Sequence, residues 1–161
     1  MNTLLLTVAL LAQPSPAGCR TPEHRGFDFW IGSWEVRTTD GRVAGTNHVT
    51  SELNGCAIVE RWSGARGASG MSLNAYDPAS RKWHQTWVDS TGLRLELSGD
   101  YLDGSLRLEG RGFGGAAAGA GRHRITWTPN RDGTIRQHWQ ATTDGGATWT
   151  DVFDGTYHRT P

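Results

Sequence analysis

Phe27-Asp28-Phe29-Trp30-Ile31-Gly32-Ser33-Trp34-Glu35-Val36 decides the fold. Beyond it the chain alternates apolar with polar residues, the period of a half-buried strand. A Gly-x-Trp at the entry of the first strand reads as the point where a small antiparallel barrel closes. Gly32 carries no Cβ, so a neighbouring backbone or side chain can come close. Trp34 shares a parity with Trp30 and Val36 and is expected on the inner face. It has two readings there, one structural and one as a ligand contact, because small barrels are often simply packed with side chains.

Working outward, no 3.6-residue periodicity appears after residue 18, apart from at most one helical turn around 23–29. Period-2 alternation rich in β-branched and aromatic residues predicts strands over 33–39, 44–53, 55–63, 69–76, 82–89, 93–99, 105–112, 121–128, 134–142 and 148–158. Turn chemistry separates them. Asp40-Gly41 and Asp103-Gly104 suit two-residue hairpins, Asp77-Pro78-Ala79-Ser80 a type I turn, and Pro129-Asn130-Arg131-Asp132-Gly133 a longer loop. The Gly/Ala-rich stretch 112–121 reads as a mobile loop. It is no phosphate cradle, since no helix and no Gly-Lys-Ser/Thr follow. Short strands on short turns make sequential antiparallel neighbours. The expected fold is therefore all-β, a single up-and-down antiparallel barrel of about ten strands over 18–161. A two-sheet sandwich is the alternative.

The chain has 161 residues, zero formal net charge and a sequence pI near 7.0. That balance leaves no electrostatic footprint for nucleic acid or an anionic membrane. Residues 1–17 contain one apolar run, 4–12, too short to span a bilayer and followed by Pro and small residues. This reads as a secretory signal peptide, so the expected location is periplasmic or secreted, with no spanning segment. Cys19 and Cys56 are the two cysteines. In an oxidising compartment they predict a disulfide tying the N-terminal arm to the third strand. Pro16-Ala17-Gly18-Cys19 also resembles a lipobox, which would make Cys19 a lipid anchor.

Two strands carry the binding expectation. Trp83, Gln85 and Trp87 share one face; Ile135, Gln137 and Trp139 share another. If those faces point inward, Gln85 and Gln137 are buried amides and need partners: each other, water or a ligand. An apolar cavity with a few convergent polar groups is the usual small-molecule site. Trp34, Gln85, Trp87, Gln137 and Trp139 are the candidate ligand contacts, and a packed core with a satisfied polar pair is the competing reading. The same parity sends His84 and His138 outward. Glu60 shares a face with Ile58 and Trp62. Buried, it would need an Arg or an amide partner; it is the one acid with a case for catalysis. No Gly-x-Ser-x-Gly or metal-ligand spacing occurs, so no metal is expected, and a barrel-fold enzyme using Glu60 or a His and a structural envelope protein with a filled barrel are the alternatives to binding. Thr142-Thr143-Asp144-Gly145-Gly146-Ala147-Thr148-Trp149 matches an Asp-box. A single copy cannot make a propeller. It reads as a hairpin lock, with Asp144 accepting backbone N–H groups and Trp149 packed beneath.

The chain resembles the bacterial DUF1579-type, lipocalin-like proteins through 27–36, Gly55-Cys56, Glu60-Arg61-Trp62, Trp83-His84-Gln85-Thr86-Trp87-Val88-Asp89, Trp127-Thr128-Pro129 and Phe153-Asp154-Gly155-Thr156-Tyr157. The likeness spans nearly all of 18–161. It implies a lipocalin-like barrel in which Trp34 packs at the closed end against an Arg of a late strand, Arg159 first and Arg136 second. Related superfamily barrels hold haem. The likeness therefore also implies an alternative cofactor, with His158 as the axial candidate. Beyond that the expectation is a barrel without a cofactor that binds a small apolar or aromatic molecule.

Overall fold

The computed structural model describes residues 18–114 and 121–161. The signal-peptide reading of 1–17 and the middle of the Gly/Ala loop, 115–120, lie outside them. Ten strands follow in order: β1 Gly32–Thr38, β2 Val43–Glu52, β3 Ala57–Gly64, β4 Ser69–Asp77, β5 Lys82–Asp89, β6 Arg94–Leu102, β7 Ser105–Phe113, β8 Arg122–Pro129, β9 Ile135–Thr142 and β10 Thr150–Arg159. Each pairs antiparallel with the next, and β1 pairs with β10, so the meander closes into a barrel. Closure replaces two exposed edges with a ladder of backbone hydrogen bonds. This excludes the sandwich alternative, which requires open sheet edges.

The seam is where the opening stretch placed it. Trp34 lies opposite Arg159, and Val36 opposite Tyr157. The Arg159 guanidinium sits 4.3 Å from the Trp34 ring centre. Its Nη1 also donates to the Ile31 carbonyl at 3.2 Å. Arg136 is engaged elsewhere, in a paired contact with Asp154 at 2.8 and 2.6 Å.

One end of the barrel is plugged by the segment before β1. A short 3-10 turn, Asp28–Trp30, turns Phe27 and Trp30 inward, and both are fully buried. Phe27 stacks on Trp30 at 4.7 Å and meets the edges of Trp83 and Trp127 at 5.6 and 5.2 Å. The Trp34 indole N–H donates to the Trp30 carbonyl at 2.9 Å, tying plug to wall. Trp30 thus reaches the interior from a turn, although strand parity was the reason for expecting it there. A Cys19–Cys56 disulfide holds the arm beside the start of β3. That sulfur cannot also carry a lipid thioether.

Asp103-Gly104 is the expected two-residue hairpin, with Leu102 opposite Ser105 and positive φ at both turn residues. Asp40-Gly41 is not. Thr38 N–H reaches the Arg42 carbonyl, and the register shifts after Val36, so the loop is longer and a bulge absorbs the extra residue. A sharp break separates β2 from β3, where Leu53, Asn54 and Gly55 all have positive φ.

Gly32 has φ +148, and a methyl group there would collide with the Arg159 guanidinium. Gly32→Ala should lower unfolding stability by roughly 1–3 kcal/mol in urea titration, the range for backbone strain. Most of the collision should vanish in an Arg159→Ala background, read as coupling in a double-mutant cycle.

Candidate functional site

Three strands repeat one inward pattern. Ile58-Glu60-Trp62 on β3, Trp83-Gln85-Trp87 on β5 and Ile135-Gln137-Trp139 on β9 each run from apolar, through polar, to tryptophan. Ile58, Trp83 and Ile135 belong to the sealed core at the plugged end. The three polar residues form a belt across the middle of the barrel. Trp62, Trp87 and Trp139 stand above it, partly buried.

The belt is continuous. Gln85 Nε2 donates to Asn74 Oδ1 at 2.9 Å, and Asn74 Nδ2 donates to Ser72 Oγ at 2.9 Å. Ser72 Oγ donates to Glu60 Oε2 at 2.7 Å. On the other side, Asn47 Nδ2 donates to Glu60 Oε1 at 2.7 Å and to the Tyr157 oxygen at 3.2 Å. Tyr157 O–H then donates to Gln137 Oε1 at 2.6 Å. Register makes this possible, since Glu60 lies opposite Ser72 and Asn74 opposite Gln85. Gln85 and Gln137 are therefore linked through the belt and not to each other.

Glu60 is 3% exposed and has amide and hydroxyl partners but no cation. Burial penalises the carboxylate and pushes its pKa up to about 7, against the pull of the Ser72 and Asn47 donors. Burial also raises the Tyr157 phenol well above its ordinary value, and the nearby Glu60 charge adds to this. The phenol is thus held neutral, as its bond to Gln137 requires.

Above the belt lies a cavity of about 180 Å³. Its walls are Trp62, Trp87, Trp139, Phe153, Leu95 and Ile125, and its floor is Glu60, Gln85, Gln137 and Tyr157. Val152, 43% exposed, forms part of the rim, so the cavity is reached from solvent at this end. Trp139 is oriented from behind, its indole N–H donating to His123 Nδ1 at 3.0 Å.

Of the expected ligand contacts, Gln85, Trp87, Gln137 and Trp139 line the cavity. Trp34 does not: it is sealed at the plugged end under Arg159, and its role is structural. His158 is corrected as well. Alternation along β10 turns Tyr157 inward and leaves His158 exposed outside, opposite Glu35. A haem does not fit the cavity. Pockets for drug-sized ligands span ~300–1,000 Å³, no His, Cys or Met lines this one, and its Tyr157 is held neutral with its O–H donated to Gln137. Among the described residues no three His, Cys, Asp or Glu side chains gather as a metal site. Asp144 accepts the Thr148 hydroxyl at 2.6 Å, the Thr148 N–H at 3.0 Å and the Thr142 hydroxyl at 2.7 Å. These bonds hold its carboxyl well below the ordinary range. Trp149 is only half-buried on the outside, with the Arg124 guanidinium 4.2 Å from its ring centre, and does not enter the core.

Asn47, Ser72, Asn74, Trp62, His123 and Phe153 were not anticipated in the site. Trp62 was legible from its shared parity with Glu60. His123 shares parity with Ile125 and Trp127. Asn47 lies two residues from Val49, and Ser72-x-Asn74 on an otherwise alternating strand is a polar pair on the inward face.

The fold and this cavity define a small closed antiparallel barrel with an aromatic chamber over a buried acid. No protein-family model matches the chain, and no curated protein matches it. Among the described residues no helix is long and apolar enough to cross a membrane.

The Glu60 pKa makes stability depend on pH. It is raised in the folded state, so its contribution is complete below the unfolded value of 4.5 and is lost as pH rises through about 7. The full loss is about 3 kcal/mol by linkage. The wild type's resistance to urea unfolding should fall between about pH 5 and pH 8. Glu60→Gln should flatten that limb.

Proposed function

We propose that the protein binds one small, largely apolar or aromatic molecule in the chamber above Glu60. The carrying observation is the cavity itself, walled by three Trp and one Phe and floored by four polar side chains. Its size supports a single-ring ligand, since a dry cavity of about 150 Å³ accepts benzene. The polar floor would fix the ligand's orientation while the walls supply apolar burial. Against the alternative of a filled structural barrel stands the empty volume between these walls.

We also propose an exported protein, periplasmic or secreted. The apolar segment at 4–12 and the Cys19–Cys56 disulfide support this, because disulfides persist in oxidising compartments. The closed ten-strand meander and the Trp34–Arg159 contact support keeping the chain with DUF1579-type, lipocalin-like barrels.

A second reading is a barrel-fold enzyme. A carboxyl group with a pKa near 7 at a cavity floor suits general acid–base work. It would be favoured by turnover of a bound molecule that Glu60→Gln abolishes while binding persists.

The binding reading is tested by native mass spectrometry and by titrating tryptophan fluorescence with benzyl alcohol. Trp87→Ala should weaken binding about tenfold, equal to about 1.4 kcal/mol, and leave the β-sheet circular dichroism intact. Loss of the fold in Trp87→Ala would make Trp87 a core residue and remove it from the site. No saturable signal in the wild type would count against the chamber.

A further inference from the structure

The reading above leaves the ligand's charge open, and the chamber's chemistry constrains it. The cavity lining contains no Lys, Arg or His. Its ionisable groups are Glu60 and Tyr157. An anionic ligand would meet a buried acid with no cation to offset it. A neutral ligand would suit the walls while Glu60 stays protonated, up to about pH 7; above that it would leave a carboxylate without an opposite charge in a poorly solvated place, which is costly.

A cation answers both walls and floor. Indole walls bury the apolar part of an organic cation, and their electron-rich faces favour a positive charge at the floor beneath them. Trp62, Trp87 and Trp139 come from β3, β5 and β9, so they enclose the cavity from separated parts of the barrel. The floor also supplies acceptors. Gln85 uses its Nε2 for the bonds to Asn74 and Ser72, which leaves its Oε1 to accept. Resting on the binding reading above, we infer that the ligand is a small organic cation, a primary ammonium on an aromatic or alkyl group, with its nitrogen at Glu60 and its apolar part between the three tryptophans.

The pH behaviour follows from the neighbours of Glu60. Asn47 from β2, Ser72 from β4, Gln85 from β5 and Gln137 from β9 do not titrate. Tyr157 from β10 is held neutral. His123 on β8 is bonded to Trp139 in the upper wall. Glu60 therefore governs the charge of the floor. A cation binds best when Glu60 is ionised, and in acid it must displace a proton from it.

The test is isothermal titration calorimetry of the mature, disulfide-bonded chain with benzylammonium and with benzyl alcohol, its neutral isostere. At about pH 8 benzylammonium should bind at least about tenfold tighter. Its affinity should fall about tenfold or more by about pH 5.5, with proton release on binding, whereas benzyl alcohol should change little. Glu60→Gln should abolish the preference and retain benzyl alcohol binding. If that variant does not fold, the wild-type pH profile and proton release decide. Equal binding of the two probes, with no pH dependence, would overturn the cation inference and leave the binding reading standing. Binding of neither probe would overturn both.

Discussion

Everything in this molecule depends on closure between β1 and β10. That ladder converts a ribbon of short strands into a wall with an inside. Without it, Glu60 and the polar residues beside it would lie on a sheet face open to water. The closure is secured where the chain is tightest. Gly32 makes room, Arg159 lies over Trp34 and caps the Ile31 carbonyl, and the Trp34 N–H fixes the Trp30 carbonyl. The plug of Phe27 and Trp30 then fills the space beneath. One end of the barrel is dry and packed for this reason, and the unfilled volume is left at the other.

Between the two ends lies the belt from Gln85 to Gln137. Each of its members is buried or nearly so, and a buried polar group without a partner is costly. The belt answers that demand with bonds between neighbouring strands, and Asn47 carries it from β3 across to β10. It holds six strands in one register while keeping a carboxyl group in the interior. Nothing in the packed end needs an acid at position 60. A leucine there would avoid the desolvation that shifts its pKa. The retention of an acid under an aromatic chamber is what gives the site its chemical character.

Much of the fold was legible because alternation and turn residues are local signals. The ten strand positions agree with the structure to within a few residues, and Asp103-Gly104 forms its hairpin because both residues tolerate positive φ. Asp40-Gly41 misleads because the bulge after Val36 depends on the neighbouring strand. Gln85, Trp87, Gln137, Trp139 and Glu60 could be nominated by parity alone. Trp34 could not be assigned by parity, which gives the face of a residue but not its height along the barrel. His158 failed for a related reason. Its neighbour Tyr157 took the inner face, and two adjacent residues on one strand cannot share it.

The sequence by itself determined that this is an all-β meander, which residues share a face of each strand, and where the chain turns, because each follows from two-residue periodicity and backbone preference. Only the tertiary structure decided which end is plugged, which inward residues meet, and that Glu60 has two donors and no cation. Those facts depend on register between strands far apart in the chain: Asn47 and Tyr157, 110 residues apart, share a hydrogen bond that no local pattern announces.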